Sequence, residues 1–201
     1  MKVNIKKDGQ AQEFELINDW SDVSLEKWAQ LVASQKAAKG KADEAIASIT
    51  HLSDMPEKLL KELSLKDVAN LMGKLAVVQS MAKSELVNKI TINDMEYGFH
   101  PDLEEITLGE YADLEHCIQD GLQDNMHKVM AVLYRPILET KGNWYSIEPY
   151  DVESKRVREQ IFKEMKAAEV ESALLFFWTF VRELLKLLPL FLTEKLKAAT
   201  S

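Results

Sequence analysis

Asp113, His116, Cys117 and Asp120 follow one another closely enough, at spacings near three and four, to share roughly one face of a helix. Two carboxylates and an imidazole on one face are donors for a divalent cation. The group lacks any recognised ligand spacing such as H-E-x-x-H, and an acidic protein often places such clusters on a helix surface. We therefore assign no metal site to it. Hydrolytic chemistry has no better footing: the sequence contains no G-x-S-x-G elbow, no glycine-rich phosphate loop and no helix-borne pair of zinc histidines. Glu104, Glu105 and Glu110 are the next carboxylates to consider. Glu110 has a capping role, and Glu104-Glu105 is acidic dressing near a helix N-terminus, where the helix dipole favours it. His51, His100 and His127 stand apart as packing or surface residues. The expectation is a protein that is not an enzyme and needs no cofactor.

The elements that would position these residues are well marked. Thr107 is a good N-cap, Glu110 stands where its carboxylate can reach back to the cap's own N–H, and Ile106 and Tyr111 occupy staple positions. Helix 108–119 is expected to carry Leu108, Tyr111, Leu114 and Ile118 inward. A second helix, 124–134, buries Met126, Val129, Met130 and Leu133 and ends before Pro136, because the residue preceding a proline is pushed out of the helical region. Arg135 is expected to lie over an aromatic ring or to pair with Glu148 or Asp151. Trp144 to Ile147, after a Gly-Asn turn, reads as an edge strand beside Pro149.

Upstream, Val3, Ile5, Phe14 and Leu16 alternate about Asp8-Gly9, which predicts strands near 2–7 and 11–17. Ser24 then caps a helix reaching about Ser34, with Leu25, Trp28, Leu31 and Val32 on one face. Lys36 to Lys41 reads as a linker, 42–51 as a short helix and Met55-Pro56-Glu57 as a helix start. Ser64 with Asp67 opens the longest helix of this half, which is expected to end near Leu86. A second hairpin pairs 89–92 with 96–99 across Asn93-Asp94. The expected organisation is a hairpin plus helix (1–35), a helical segment (36–88) and a hairpin plus helical C-terminal part (89–201), forming either one compact unit or two similar halves. Aligning Ser24 with Thr107 also matches Asp19 with Asp102 and Trp28 with Tyr111. Duplication and the ordinary recurrence of hairpins that feed capped helices both account for this match. The fold class is α+β, predominantly α-helical, with two small β-hairpins.

From Val152 to Lys166 the pattern is that of a largely solvated helix. Residues 173–192, ALLFFWTFVRELLKLLPLFL, are apolar around most of the circumference. Leu174, Phe177, Trp178, Val181, Leu184, Leu185 and Leu188 make one stripe; Leu175, Phe176, Phe180 and Leu187 make another. Charges within the run and Pro189 argue against a membrane span. Two readings stay open: a central helix enclosed by its own domain, or a surplus face docked on another protein. The candidate anchors are Phe176, Phe177, Trp178 and Phe180.

The chain has 201 residues, 46% hydrophobic and 29% charged, which is enough for one sizeable core or two small ones sharing an interface. Its net charge of −8 argues against a phosphate-binding surface, so no nucleic acid is expected. Cys117 is the single cysteine, so an intramolecular disulfide cannot form. The charged, alternating N-terminus is not that of a signal peptide.

The segments YGFHPDLEEITLGEYADLE (97–115), MHKVMAVLYRPI (126–137) and YSIEPYD (145–151) resemble a family of tailed-bacteriophage virion morphogenesis proteins described as tail assembly chaperones. The resemblance implies a phage assembly protein that binds a structural component of the virion, with the host cytoplasm or the virion as its place; the surplus apolar face of 173–192 would dock on that component or on a second copy of the chain. It implies no catalytic residue. The alternatives are a permanent part of the virion and a host-directed inhibitor.

Overall fold

The computed structural model describes residues 1–7, 10–80 and 85–179. It is a mixed α+β fold, mostly helical, whose described strands form a two-stranded hairpin and a four-stranded antiparallel sheet. The first hairpin pairs β1 (Lys2–Lys7) with β2 (Gln10–Glu15); the expected Asp8-Gly9 turn lies outside the described residues. Four helices follow: α1 (Leu25–Ala37), α2 (Lys41–His51), α3 (Glu57–Leu60) and α4 (Leu65–Ser80). α1 continues through Lys36, so the expected linker shrinks to the few residues before Lys41. α4 is described to Ser80, the stretch from there to its expected end near Leu86 falls in part outside the described residues, and Leu86 itself lies outside any regular element.

The second hairpin joins β3 (Lys89–Ile92) to β4 (Met95–Phe99) through Asn93 and Asp94, at φ 50° and 61°. Both central residues are left-handed, as the tightest right-twisted hairpins require. After α5 (Leu108–Gln119) and α6 (Leu122–Leu133) this sheet grows beyond the expected hairpin. The chain turns at once into β5 (Tyr134–Lys141), then β6 (Trp144–Ile147), giving the order β3-β4-β5-β6. Pro136, expected only to end α6, sits inside β5 opposite Tyr97. Its carbonyl accepts the Glu148 N–H at 2.9 Å, and its missing N–H faces the same side, where a bulge between Ile137 and Glu139 already breaks the ladder. α7 (Val152–Ile161) and α8 (167–179) complete the described fold.

The matched units of the two halves share their local geometry. Asp19 caps a 3-10 turn ahead of α1 and Asp102 caps one ahead of α5; Ser24 and Thr107 then cap the helices themselves. Their cores are distinct but joined. One is built on the four-stranded sheet, α5, α6 and α8 (Phe99, Met130, Tyr134, Phe162, Phe177); the other on β1, β2 and α1 to α4 (Ile5, Trp20, Leu31, Leu52, Leu75). Trp28 packs against both. At the seam, the Leu25 N–H donates to Met165 O and the Ala167 N–H to Val23 O, each at 2.7 Å.

Two helices present other faces than expected. On α5, Leu108 is 83% exposed and Tyr111 is also exposed, while Glu110, Leu114 and Cys117 are buried. On α7, Val157 is exposed whereas Lys155 and Arg158 are buried. In both helices an ionic partner on a distant strand or helix decides the rotation, and hydrophobic spacing does not register that partner.

Candidate functional site

Exposed large apolar side chains are spread over the fold, and some of them flank a cleft beside the four-stranded sheet. A cleft of about 490 Å³ is lined by residues of the segment before β3 (Leu86, Asn88), the end of β4 and the 3-10 turn after it (Phe99 to Glu104), the β5–β6 turn (Asn143 to Tyr145) and α8 (Phe176). Phe176 is 45% exposed and meets Phe99 edge to face, with ring centroids 5.6 Å apart; Trp144 is 56% exposed. Leu175 and Trp178 extend the exposed apolar surface along α8.

The four expected anchors therefore separate. Phe176 lines the cleft, and Trp178 stands partly open beside Phe177 at 6.0 Å. Phe177 is corrected to a core residue, because Val170, Ala173, Leu174 and Phe177 form the buried stripe of α8 and leave no surface for a partner. Phe180 lies outside the described residues, as does the remainder of the expected stripes from Val181 onward. Trp144, Phe99 and Leu103 were missed as site residues. The one local signal for them was the aromatic edge strand, since Trp144 stands next to a turn where a core side chain has nothing to pack on.

Gly98 makes the cleft wall possible. The Tyr145 ring crosses β4 directly over it and the phenol donates to Phe99 O at 2.7 Å, with Asn88 O 3.3 Å away. A Cβ at Gly98 would stand 2.7 Å from Tyr145 Cδ2 and 3.0 Å from Ile147 Cγ2.

Behind the cleft lies a buried ionic network. Thr107 Oγ1 accepts the Glu110 N–H at 3.3 Å, while Glu110 Oε2 accepts from Thr107 N at 2.7 Å and from its hydroxyl at 2.6 Å. Glu110 Oε1 faces Arg135 Nη2 at 2.9 Å and His100 Nε2 at 3.7 Å, with Glu110 only 1% exposed. This corrects the expected partner of Arg135. Glu148 is taken instead by Arg158, at 2.7 Å, and Arg135 points from the start of β5 towards the first turn of α5.

The quartet considered for metal binding does not converge on a common point. Asp113 accepts hydrogen bonds from Tyr150 and Lys155, the His116 Nδ1 lies 2.7 Å from Ala112 O, Cys117 is buried in the core, and Asp120 is the C-cap of α5. Burial pushes the Asp113 carboxyl up, but Lys155 and Tyr150 together outweigh it and hold the pKa below its ordinary value. Burial raises the Cys117 thiol. These groups fasten α7 to α5. Among the described residues no group of His, Cys, Asp and Glu is arranged to hold a metal ion.

Burial above all, and then Arg135, lowers the His100 pKa against the opposing pull of Glu110 and Asp102; burial likewise lowers His127. A histidine whose folded pKa is depressed is protonated first in the unfolded chain, so stability falls as pH drops below the ordinary value of 6.5 and levels off below the folded pKa. The melting temperature is therefore expected to decline between about pH 7 and pH 5.5, and less steeply in His100→Gln. An identical slope in that variant would show that His100 is not responsible.

The arrangement is thus a built apolar cleft backed by a structural ionic network, in a fold whose described residues include no helix long and apolar enough to cross a membrane. What it defines is a class, a mixed α+β protein with an open aromatic cleft. Comparison with protein-family models, curated proteins and solved structures finds no match to the chain.

Proposed function

We propose that this protein acts in the assembly of a tailed-phage virion, binding a structural component through apolar surface and keeping it from premature aggregation. The observation that carries the docking part is Phe176: a large aromatic residue on a helix whose neighbouring stripe already fills the core, standing half open in a cleft with Trp144. Half-open aromatic rings lining one cleft are the kind of side chain that anchors a partner. The assembly role comes from the resemblance of residues 97–115, 126–137 and 145–151 to phage morphogenesis proteins. Binding would be reversible, with affinity concentrated in Phe176, Trp178 and Trp144.

Phe176→Asp tests the reading. The side chain is already partly solvated, so the variant is expected to keep its circular dichroism spectrum and lose the complex with a virion structural protein in cells where particles are being assembled. By mass spectrometry the wild-type chain should accompany that protein during assembly and be absent from finished particles. Stoichiometric presence in purified particles would favour a permanent structural role; an intact complex in the variant would remove the cleft from the account.

A further inference from the structure

The lining of the cleft bears on what enters it, and this inference rests on the docking reading above. The described residues that line it include Asp102 and Glu104, and among them there is no lysine or arginine. Both acids are exposed on the 3-10 turn that forms one side of the cleft. Asp102 spends one acceptor position on the Glu104 N–H at 2.9 Å, and a carboxylate has about four. Trp144 and Phe176 add open ring faces.

Carboxylates and aromatic faces attract the same kind of group. The first draw a cation by charge and hydrogen bonding, the second through the ring quadrupole. One ring of the lining already displays this mode: Lys89 Nζ stands 5.2 Å from the centroid of Tyr145. At longer range the net charge of −8 draws a basic partner in and repels a second copy of the same chain. The volume, about 490 Å³, suits a large side chain with part of its neighbour.

We infer that the cleft receives a short segment of a basic partner protein, in which one large apolar side chain packs against Phe99 and Phe176. An adjacent arginine or lysine meets Asp102 and Glu104 and lies across Trp144. The apolar side chain supplies the burial, and the cation selects which segments enter. A segment of the same hydrophobicity with acidic neighbours is rejected because its carboxylates would face Asp102 and Glu104 without a counter-charge.

Fluorescence polarisation of the full chain with three labelled nonapeptides tests this. One carries a central phenylalanine flanked by arginines, one the same phenylalanine flanked by glutamates, and one a central serine flanked by arginines. The first is expected to bind at least roughly tenfold more tightly than either of the others, and to weaken as salt rises from about 50 to about 300 mM. The double variant Asp102→Asn/Glu104→Gln, which keeps an acceptor at the cap, is expected to lose most of the preference for arginine over glutamate. Equal binding of the arginine- and glutamate-flanked peptides, an unchanged preference in the double variant, or no binding by any peptide would each overturn the inference. Equal binding that Phe176→Asp abolishes would leave the docking reading standing. Phe176→Asp with no effect on peptides or on the assembly complex would remove both.

Discussion

Replacing Glu110 with alanine is expected to lower the unfolding free energy by about 3–5 kcal/mol, because it strands the Arg135 guanidinium in the interior. For a chain of this length that is a fall of roughly 10 °C in melting temperature. The same change removes the acceptor for the Thr107 N–H and hydroxyl, so the first turn of α5 loses its cap as well. Glu110→Gln should cost less, since the amide oxygen can still take the Thr107 N–H, but the guanidinium stays unpaired. Arg135→Ala is expected to be nearly as damaging as Glu110→Ala, because a buried carboxylate is then left with His100, a neutral neighbour at neutral pH. The decisive measurement is the double-mutant cycle. Removing both partners should cost well under the sum of the single losses, by more than about 1 kcal/mol. Additive losses would mean that the two side chains do not sense one another.

Gly98→Ala is the second large effect, and it works through shape alone. The added carbon meets the Tyr145 ring, which cannot retreat without giving up its hydrogen bond to Phe99 O. Overpacking of this kind costs about 1–3 kcal/mol, and the lost hydrogen bond adds about 1 kcal/mol more. Tyr145→Ser in the same chain removes the closest contacts and leaves only Ile147 Cγ2 to give way, so Gly98→Ala should cost much less in that background. A loss of the same size in both backgrounds, measured by urea unfolding, would place the strain elsewhere. Because Tyr145 and Trp144 are neighbours on the cleft wall, Gly98→Ala should also weaken any docking that uses Trp144.

What could be seen in the sequence was what lies close together along the chain. The Thr107–Glu110 capping box, the Ser24 cap, the Asn93-Asp94 turn and the buried face of α6 each depend on residues within a few positions of one another, so spacing reveals them. Partner choice across the fold was hidden. Arg135 stands close in sequence to Glu148 and Asp151, yet it pairs with Glu110 on α5, and this exchange goes with turning α5 away from its expected face. Lys155 and Arg158 read as solvent residues because nothing beside them announces Asp113 or Glu148. β5 was concealed by Pro136, which usually ends a strand prediction and here falls where a bulge has already interrupted pairing. Of the site, the greasy second stripe of α8 was legible and its partner wall was not. Leu86, Leu103, Trp144 and Phe176 come from four separated stretches that only the folded sheet assembles.

The short crossing of residues 23–25 with residues 165–167 bears on biosynthesis. The amino-terminal half reaches its seam only after residues 165–167 have left the ribosome, so it must wait, with Leu25 and one side of Trp28 wet, for the strand of backbone that covers them. A nascent chain halted before that point would hold its early helices but not their final shelter, and would be the form most open to proteases and to host quality control.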